Sequence, residues 1–200
     1  VGDLMMDILM DQITNAMTPE VTQQAGVDSD AMSNAIGMLI PILTSALARN
    51  ASSPDGAREL SDALAKDHDG GLLDQLPDYL SNPDTKDGDA ILGHVLGSRR
   101  QDAEVAVSRS TGLDPQQVAK IMAALAPIVL AYLGRQQREK QLDPDGLSDV
   151  LARERNEYER KPPSVLGGLA GMLDQDRDGD VTDDAARIGV KILMDWLNKE

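Results

Sequence analysis

Apolar residues recur along this chain at helical spacing. Ile36, Leu39, Ile40, Leu43 and Leu47 fall at i, i+3, i+4, i+7 and i+11, one stripe of an α-helix. Met122, Leu125, Ala126, Val129 and Leu133 make a second stripe of the same kind. Each stripe contains a proline, Pro41 or Pro127, which lacks an N–H and should kink or divide its helix. Thr18-Pro19-Glu20 reads as a helix start and Gly26 as its stop, with Asp28 or Ser29 capping the next helix. Asp114-Pro115 starts the second long helix, and Gly134 is placed to end it. At the front, Leu4, Met5, Ile8, Leu9 and Ile13 predict an amphipathic helix that docks on its own body or on a second chain. The apolar runs 35–48 and 123–133 are shorter than the ~18–20 residues that span a bilayer, so they read as buried core helices and no transmembrane segment is expected.

The pattern repeats. Gly26-Val27-Asp28 aligns with Gly112-Leu113-Asp114 at an offset of 86 residues, and Leu39, Pro41, Ile42 and Leu47 then meet Leu125, Pro127, Ile128 and Leu133 without a gap. After one inserted residue, the block 60–67 meets 147–154. Between the blocks each copy carries Pro-Asp-Gly, at 54–56 and 144–146, read as a turn. The expected organisation is a first helical repeat over 1–80, a linker over 81–89, a second repeat over 90–160 and a C-terminal helix-loop-helix over 164–200. Residues 136–146 form a polar connection, and the mixed-charge stretch 153–161 reads as a solvated helix face. The fold class is all-α: two tandem helical repeats packed around one core, plus a C-terminal EF-hand-like helix-loop-helix.

The segment Ile91-Leu92-Gly93-His94-Val95-Leu96-Gly97, followed by Thr111-Gly112-Leu113-Asp114 and Leu125-Ala126-Pro127-Ile128-Val129, resembles the bacterial YidB-like family, domain of unknown function 937. The resemblance covers most of residues 1–160. It implies an all-helical cytoplasmic bacterial protein and implies no activity.

Composition narrows the picture further. The 200 residues include no Phe, one Trp and three Tyr, so the core must be aliphatic, which favours helices over strands. A net charge of −15 argues against a nucleic-acid binder, whose affinity comes from Lys and Arg on phosphates. Residues 105–122 resemble a helix-turn-helix, but the second helix soon becomes Ile, Met, Ala and Leu, so a buried hairpin is the expected form. Arg99, Arg100 and Arg109 are the nearest basic cluster, a local patch for an acidic partner. The absence of Cys removes disulfides and thiolate chemistry and fits a reducing compartment. Residues 1–11 carry three Asp and no basic residue, unlike a signal peptide.

The strongest chemical signal is the loop 174–184. Asp174, Asp176 and Asp178 alternate so that three carboxylates can face one hard cation; Gly179 permits the sharp turn, and Asp180 would offer its carbonyl oxygen. Residues 165–173 and 183–198 read as the entering and exiting helices, the latter with Ile188, Ile192, Trp196 and Leu197 on one face. Position 12, where an EF-hand carries a bidentate Glu, is Ala185, so Asp183, Asp184 or water must close the site. Binding of one calcium ion (Ca2+) in the range of ~10⁻⁵–10⁻³ M is the expectation, with a structural role. The similar run 67–74 reads as a helix C-terminus followed by a glycine turn, and Asp84 as part of a turn and helix cap. His94 reads as a packing or helix-end residue, and no catalytic motif is present. The chain is therefore expected to be a non-enzymatic cytoplasmic interaction or scaffold protein, binding a protein partner or itself through apolar helix faces. The alternatives are a calcium-responsive regulator and, behind it, an enzyme with a spatially assembled site.

Overall fold

The computed structural model describes residues 5–160, in which every regular element is a helix and there is no strand. In chain order the α-helices are α1 (Met5–Ala16), α2 (Pro19–Ala25), α3 (Ser29–Asn50), α4 (Pro54–Asp67), α5 (Leu76–Ser81), α6 (Thr85–Val95), α7 (Arg100–Thr111), α8 (Pro115–Lys140) and α9 (Pro144–Arg160). Short 3₁₀ turns at Gly71–Gln75 and Gly97–Arg99 lead into α5 and α7.

Local chemistry explains most of the boundaries. Gly26 and Gly112 end α2 and α7 at φ 63° and 73°, the left-handed conformation that favours glycine. Two residues later an aspartate caps each long helix: Asp28 accepts from the N–H groups of Asp30 and Ala31, and Asp114 accepts from Gln116. Gln117 completes a capping box by accepting from the Asp114 N–H, and its amide also donates to the Gly26 carbonyl at 2.9 Å. Asp114→Ala is expected to cost about 1 kcal/mol in denaturant melts, typical of a lost N-cap.

The two long helices form the centre. Every residue from Ala35 to Ala48 is buried, and so are residues 125–134 of α8. The helices cross by exchange: α3 packs on α8, α9 and α7, whereas α8 packs on α3, α4, α6 and α7. α1 lays Met5, Leu9, Ile13 and Ala16 into the same continuous core, against α3 and α5, so its apolar face docks on its own body. Leu64 of α4 and Leu147 and Leu151 of α9 close the layer, each 0% exposed.

Neither internal proline divides its helix; α3 and α8 run through Pro41 and Pro127. Pro127 cannot donate to the carbonyl of Ala123, four residues back. That carbonyl faces Gly88 of α6, where a Cβ would lie 1.8 Å from its oxygen. The next carbonyl, Ala124, accepts from the Tyr79 hydroxyl at 3.1 Å. The backbone exposed around the proline is thus covered by α5 and α6. In α3, the buried Thr44 hydroxyl donates to the Ile40 carbonyl at 2.8 Å.

Several expectations are corrected. Gly134 does not end its helix: α8 continues to Lys140, and Gly134 is the point where the His68 carbonyl approaches, with a Cβ position 1.8 Å from that oxygen. The Pro-Asp-Gly segments are first turns of α4 and α9 rather than free turns, because Pro suits the first helical position and a side chain caps each. Ser53 accepts from the Gly56 N–H and Asp143 from the Gly146 N–H. The polar connection of 136–146 contracts to the break between Lys140 and Pro144, and α6 begins at Thr85, inside the expected linker, with Asp84 as its cap. Finally, α3 and α8 are 22 and 26 residues long, longer than their apolar runs, and both are long and apolar enough to cross a membrane by length and composition. Their most apolar windows are 83% and 78% buried against the rest of the fold.

Candidate functional site

The residues expected to hold calcium, Asp174, Asp176, Asp178, Asp180, Asp183 and Asp184, lie outside the described residues. Among the described residues no group of three or more His, Asp or Glu is placed to hold a metal ion. His68 is half-buried at the C-cap of α4, and His94 is exposed in the last turn of α6, a helix-end histidine. The run 67–74 is the helix C-terminus and glycine turn expected of it, with Gly70 at φ 94°.

The charged side chains that pair do so to fix elements. Arg100 binds Asp89 at 2.6 Å and Glu104 at 2.7 Å, tying α7 to α6. This removes Arg100 from the basic patch expected around it. Arg135 of α8 binds Asp74 at 2.6 Å and the Gly70 carbonyl at 2.8 Å, and Arg138 lies 3.6 Å from Asp69. Together they hold the loop after α4 against α8. Gln116 and Lys120 are exposed at the start of α8, but Val118, Ile121 and Met122 are buried, so that helix packs as a core element.

The most unusual polar centre lies where α1, α8 and α9 meet. The half-buried Glu154 carboxylate accepts from the Met5 backbone N–H at 3.0 Å and forms a hydrogen bond with the Tyr158 hydroxyl. Burial holds its carboxyl above the usual range; the two hydrogen bonds and Lys140 oppose this, while Asp7 adds to it. Tyr132 of α8 is pushed up to about 12 by burial, with Glu154 and Glu139 contributing negative charge nearby. Tyr79, beside Asp84 and Asp87, is also raised, chiefly by burial. The Glu154 centre gathers a half-buried carboxyl, two phenols and the first turn of α1, whose positive end favours an anion.

Sequence reasoning placed Glu154 on a solvated face. The missed signal was its register: Leu147, Leu151, Glu154 and Tyr158 lie at i, i+4, i+7 and i+11, on one side of α9. Leu147, Leu151 and Tyr158 are buried, so Glu154 shares the core face. Arg153 and Asn156, pointing elsewhere, are exposed. The aligned residue in the first block, Asp67, is exposed, so the two positions differ in environment.

The described chain is an all-helical body with an aliphatic core. A family model described as bacterial protein of unknown function (DUF937) matches residues 7–136, and the chain belongs to that family. No curated protein and no solved structure matches the chain.

Proposed function

We propose that this is a non-enzymatic, cytoplasmic interaction or scaffold protein that holds one calcium ion at its C-terminal aspartate loop. The observation that carries the calcium reading is the spacing of Asp174, Asp176 and Asp178 before Gly179, which aligns carboxylates around a hard cation. Asp180 supplies a carbonyl, and Asp183 or Asp184 closes the site in place of a position-12 glutamate. The ion fastens the helix-loop-helix of 164–200 and offsets the repulsion among six aspartates.

The body is read as two tandem helical repeats, 1–80 and 90–160, joined through 81–89. Matched features support this: an αL glycine two residues before each aspartate cap, a buried proline in each long helix, and a Pro-Asp-Gly first turn in each following helix. The non-enzymatic reading is supported by three of the four perturbed groups among the described residues, since Tyr79, Arg100 and Glu154 are each engaged in a bond that joins two helices. Binding of a protein partner, or of a second copy, runs through apolar helix faces.

Calorimetric titration of the metal-free chain with calcium, against magnesium, is expected to show saturable binding in the ~10⁻⁵–10⁻³ M range. Asp176→Ala should abolish it. Absence of heat and of any thermal shift at millimolar calcium would remove the ion from the proposal. Light scattering across a concentration series is expected to show mass rising with concentration, and a strict monomer would remove self-association.

A further inference from the structure

We propose that α9 is exchanged between two copies of this chain, each copy seating its α9 on the α3 and α4 of the other. The partner is a second copy, and its docking surface is the seat that α9 fills within one chain. This specifies the self-association proposed above and rests on that reading.

α9 packs chiefly on α3 and α4, both from the first half, rather than on α8, to which it is joined by Gln141, Leu142 and Asp143 alone. Its anchoring bonds run the same way. The Ser148 hydroxyl donates to the Ala51 carbonyl at the end of α3 at 2.8 Å, and the Glu154 carboxylate accepts from the Met5 N–H of α1 at 3.0 Å. A second copy offers the same seat, so exchange remakes this packing between chains with little loss of contact. It requires no loose helix, because it proceeds through opening and refolding of the chain and leaves α9 buried afterwards.

The hinge favours the exchange. Gln141, at φ 51°, is the one non-glycine residue at positive φ among the described residues. Such a conformation disfavours an L-residue other than glycine by about fivefold or more. Folding α9 back depends on it: the Gln141 and Leu142 N–H groups turn to the carbonyls of Arg138 and Gln137 and close the end of α8. Pro144 already biases Asp143 toward extended backbone. An extended hinge frees Gln141 from the left-handed region, and a short hinge under strain is what promotes exchange.

The two halves of one chain are themselves arranged as an exchanged pair. α3 of the first half takes α9 of the second, and α8 of the second takes α4 of the first. The contact of Ser148 with the end of α3 has its counterpart in Gln137 of α8, whose amide donates to the Ser61 hydroxyl of α4 at 2.6 Å. Gln137 aligns with Ala51 and Ser148 with Ser61 in the repeat. One junction, between the end of a long helix and the helix that follows in the other half, thus occurs twice. Exchange between chains extends a pairing that the fold already uses.

The test uses wild-type full chains. Labelled and unlabelled chains are mixed in denaturant, refolded together at high concentration, and the dimer is separated by size. Isotope-filtered NMR of that dimer is expected to show α9–α3 contacts running between chains. Gln141→Gly, which removes the penalty of the closed hinge, should raise the dimer dissociation constant by more than about fivefold. Gln141→Val, whose branched side chain tolerates the left-handed region least, should lower it. A dimer whose α9–α3 contacts all lie within single chains overturns the exchange and leaves self-association standing. Absence of any dimer from the refolded wild type overturns both. Equal dissociation constants in the glycine and valine variants overturn the exchange, and the wild-type experiment decides should either variant not fold.

Discussion

Gly88→Ala is expected to destabilise the protein by about 3 kcal/mol, as overpacking against backbone does at its upper range. At this chain length that corresponds to a fall of roughly 6–12 °C in the melting temperature. The new methyl would lie 1.8 Å from the Ala123 carbonyl oxygen and 2.6 Å from its carbon. The obstacle is backbone, so no rotamer change relieves it. Separating α6 from α8 would also strip cover from the carbonyl that Pro127 leaves without its helical donor. Gly93→Ala, in the same helix, is the control. Nothing lies within 4 Å of its Cβ position, and the residue is exposed. There the helix propensity of alanine should raise stability by about 0.5–1 kcal/mol. Opposite signs for one chemical change in one helix would show that the contact at Gly88, rather than helix propensity, governs that position. A Gly88→Ala protein melting at or above wild type would refute the close approach.

Gly134→Ala is expected to cost about 2–3 kcal/mol for the same physical reason, about three turns further along α8 from Ala123. Its Cβ would lie 1.8 Å from the His68 carbonyl oxygen and 2.9 Å from the carbon. The loop carrying His68 cannot retreat cheaply, because Arg135, the very next residue of the helix, binds the Gly70 carbonyl and Asp74. Gly70 itself, at φ 94°, leaves room for the Arg135 Cβ at 2.8 Å from its own Cβ position. Loss of exchange protection in residues 68–75, together with the lowered melting point, is the expected signature. In an isolated helix the same substitution would be favourable by about 1 kcal/mol, so its sign reports directly on the packing of the loop against α8.

These two glycines mark where sequence reasoning reached its limit. In the sequence, Gly134 follows an apolar stripe and precedes a polar run, which is the pattern of a helix stop. Nothing local distinguishes that from a small residue required by another element's backbone. The register of α9 was different, because Leu147, Leu151, Glu154 and Tyr158 do align in the sequence. The high charge of the surrounding stretch masked a three-position signal that already placed Glu154 toward the core. The Pro-Asp-Gly segments were ambiguous for a further reason: proline followed by an acidic residue and glycine suits both a turn and a first helical turn. The Ser53 and Asp143 caps settled them as helix starts.

The sequence by itself determined the all-helical class, the stripes that became the centres of α3 and α8, and the glycine-to-aspartate boundaries before them. These are properties of short segments: side-chain periodicity, the φ that glycine tolerates and the donors that an aspartate can cap. It also displayed the aspartate spacing on which the calcium proposal rests. Tertiary structure alone decided that α8 runs past Gly134, that Tyr79 and Gly88 cover the break at Pro127, and that α3 pairs with α9 while α8 pairs with α4. It likewise decided that Glu154 meets the first turn of α1, a partner 149 positions away in the chain. Such contacts depend on which surfaces are complementary once the helices form, and that information is spread across segments far apart in sequence.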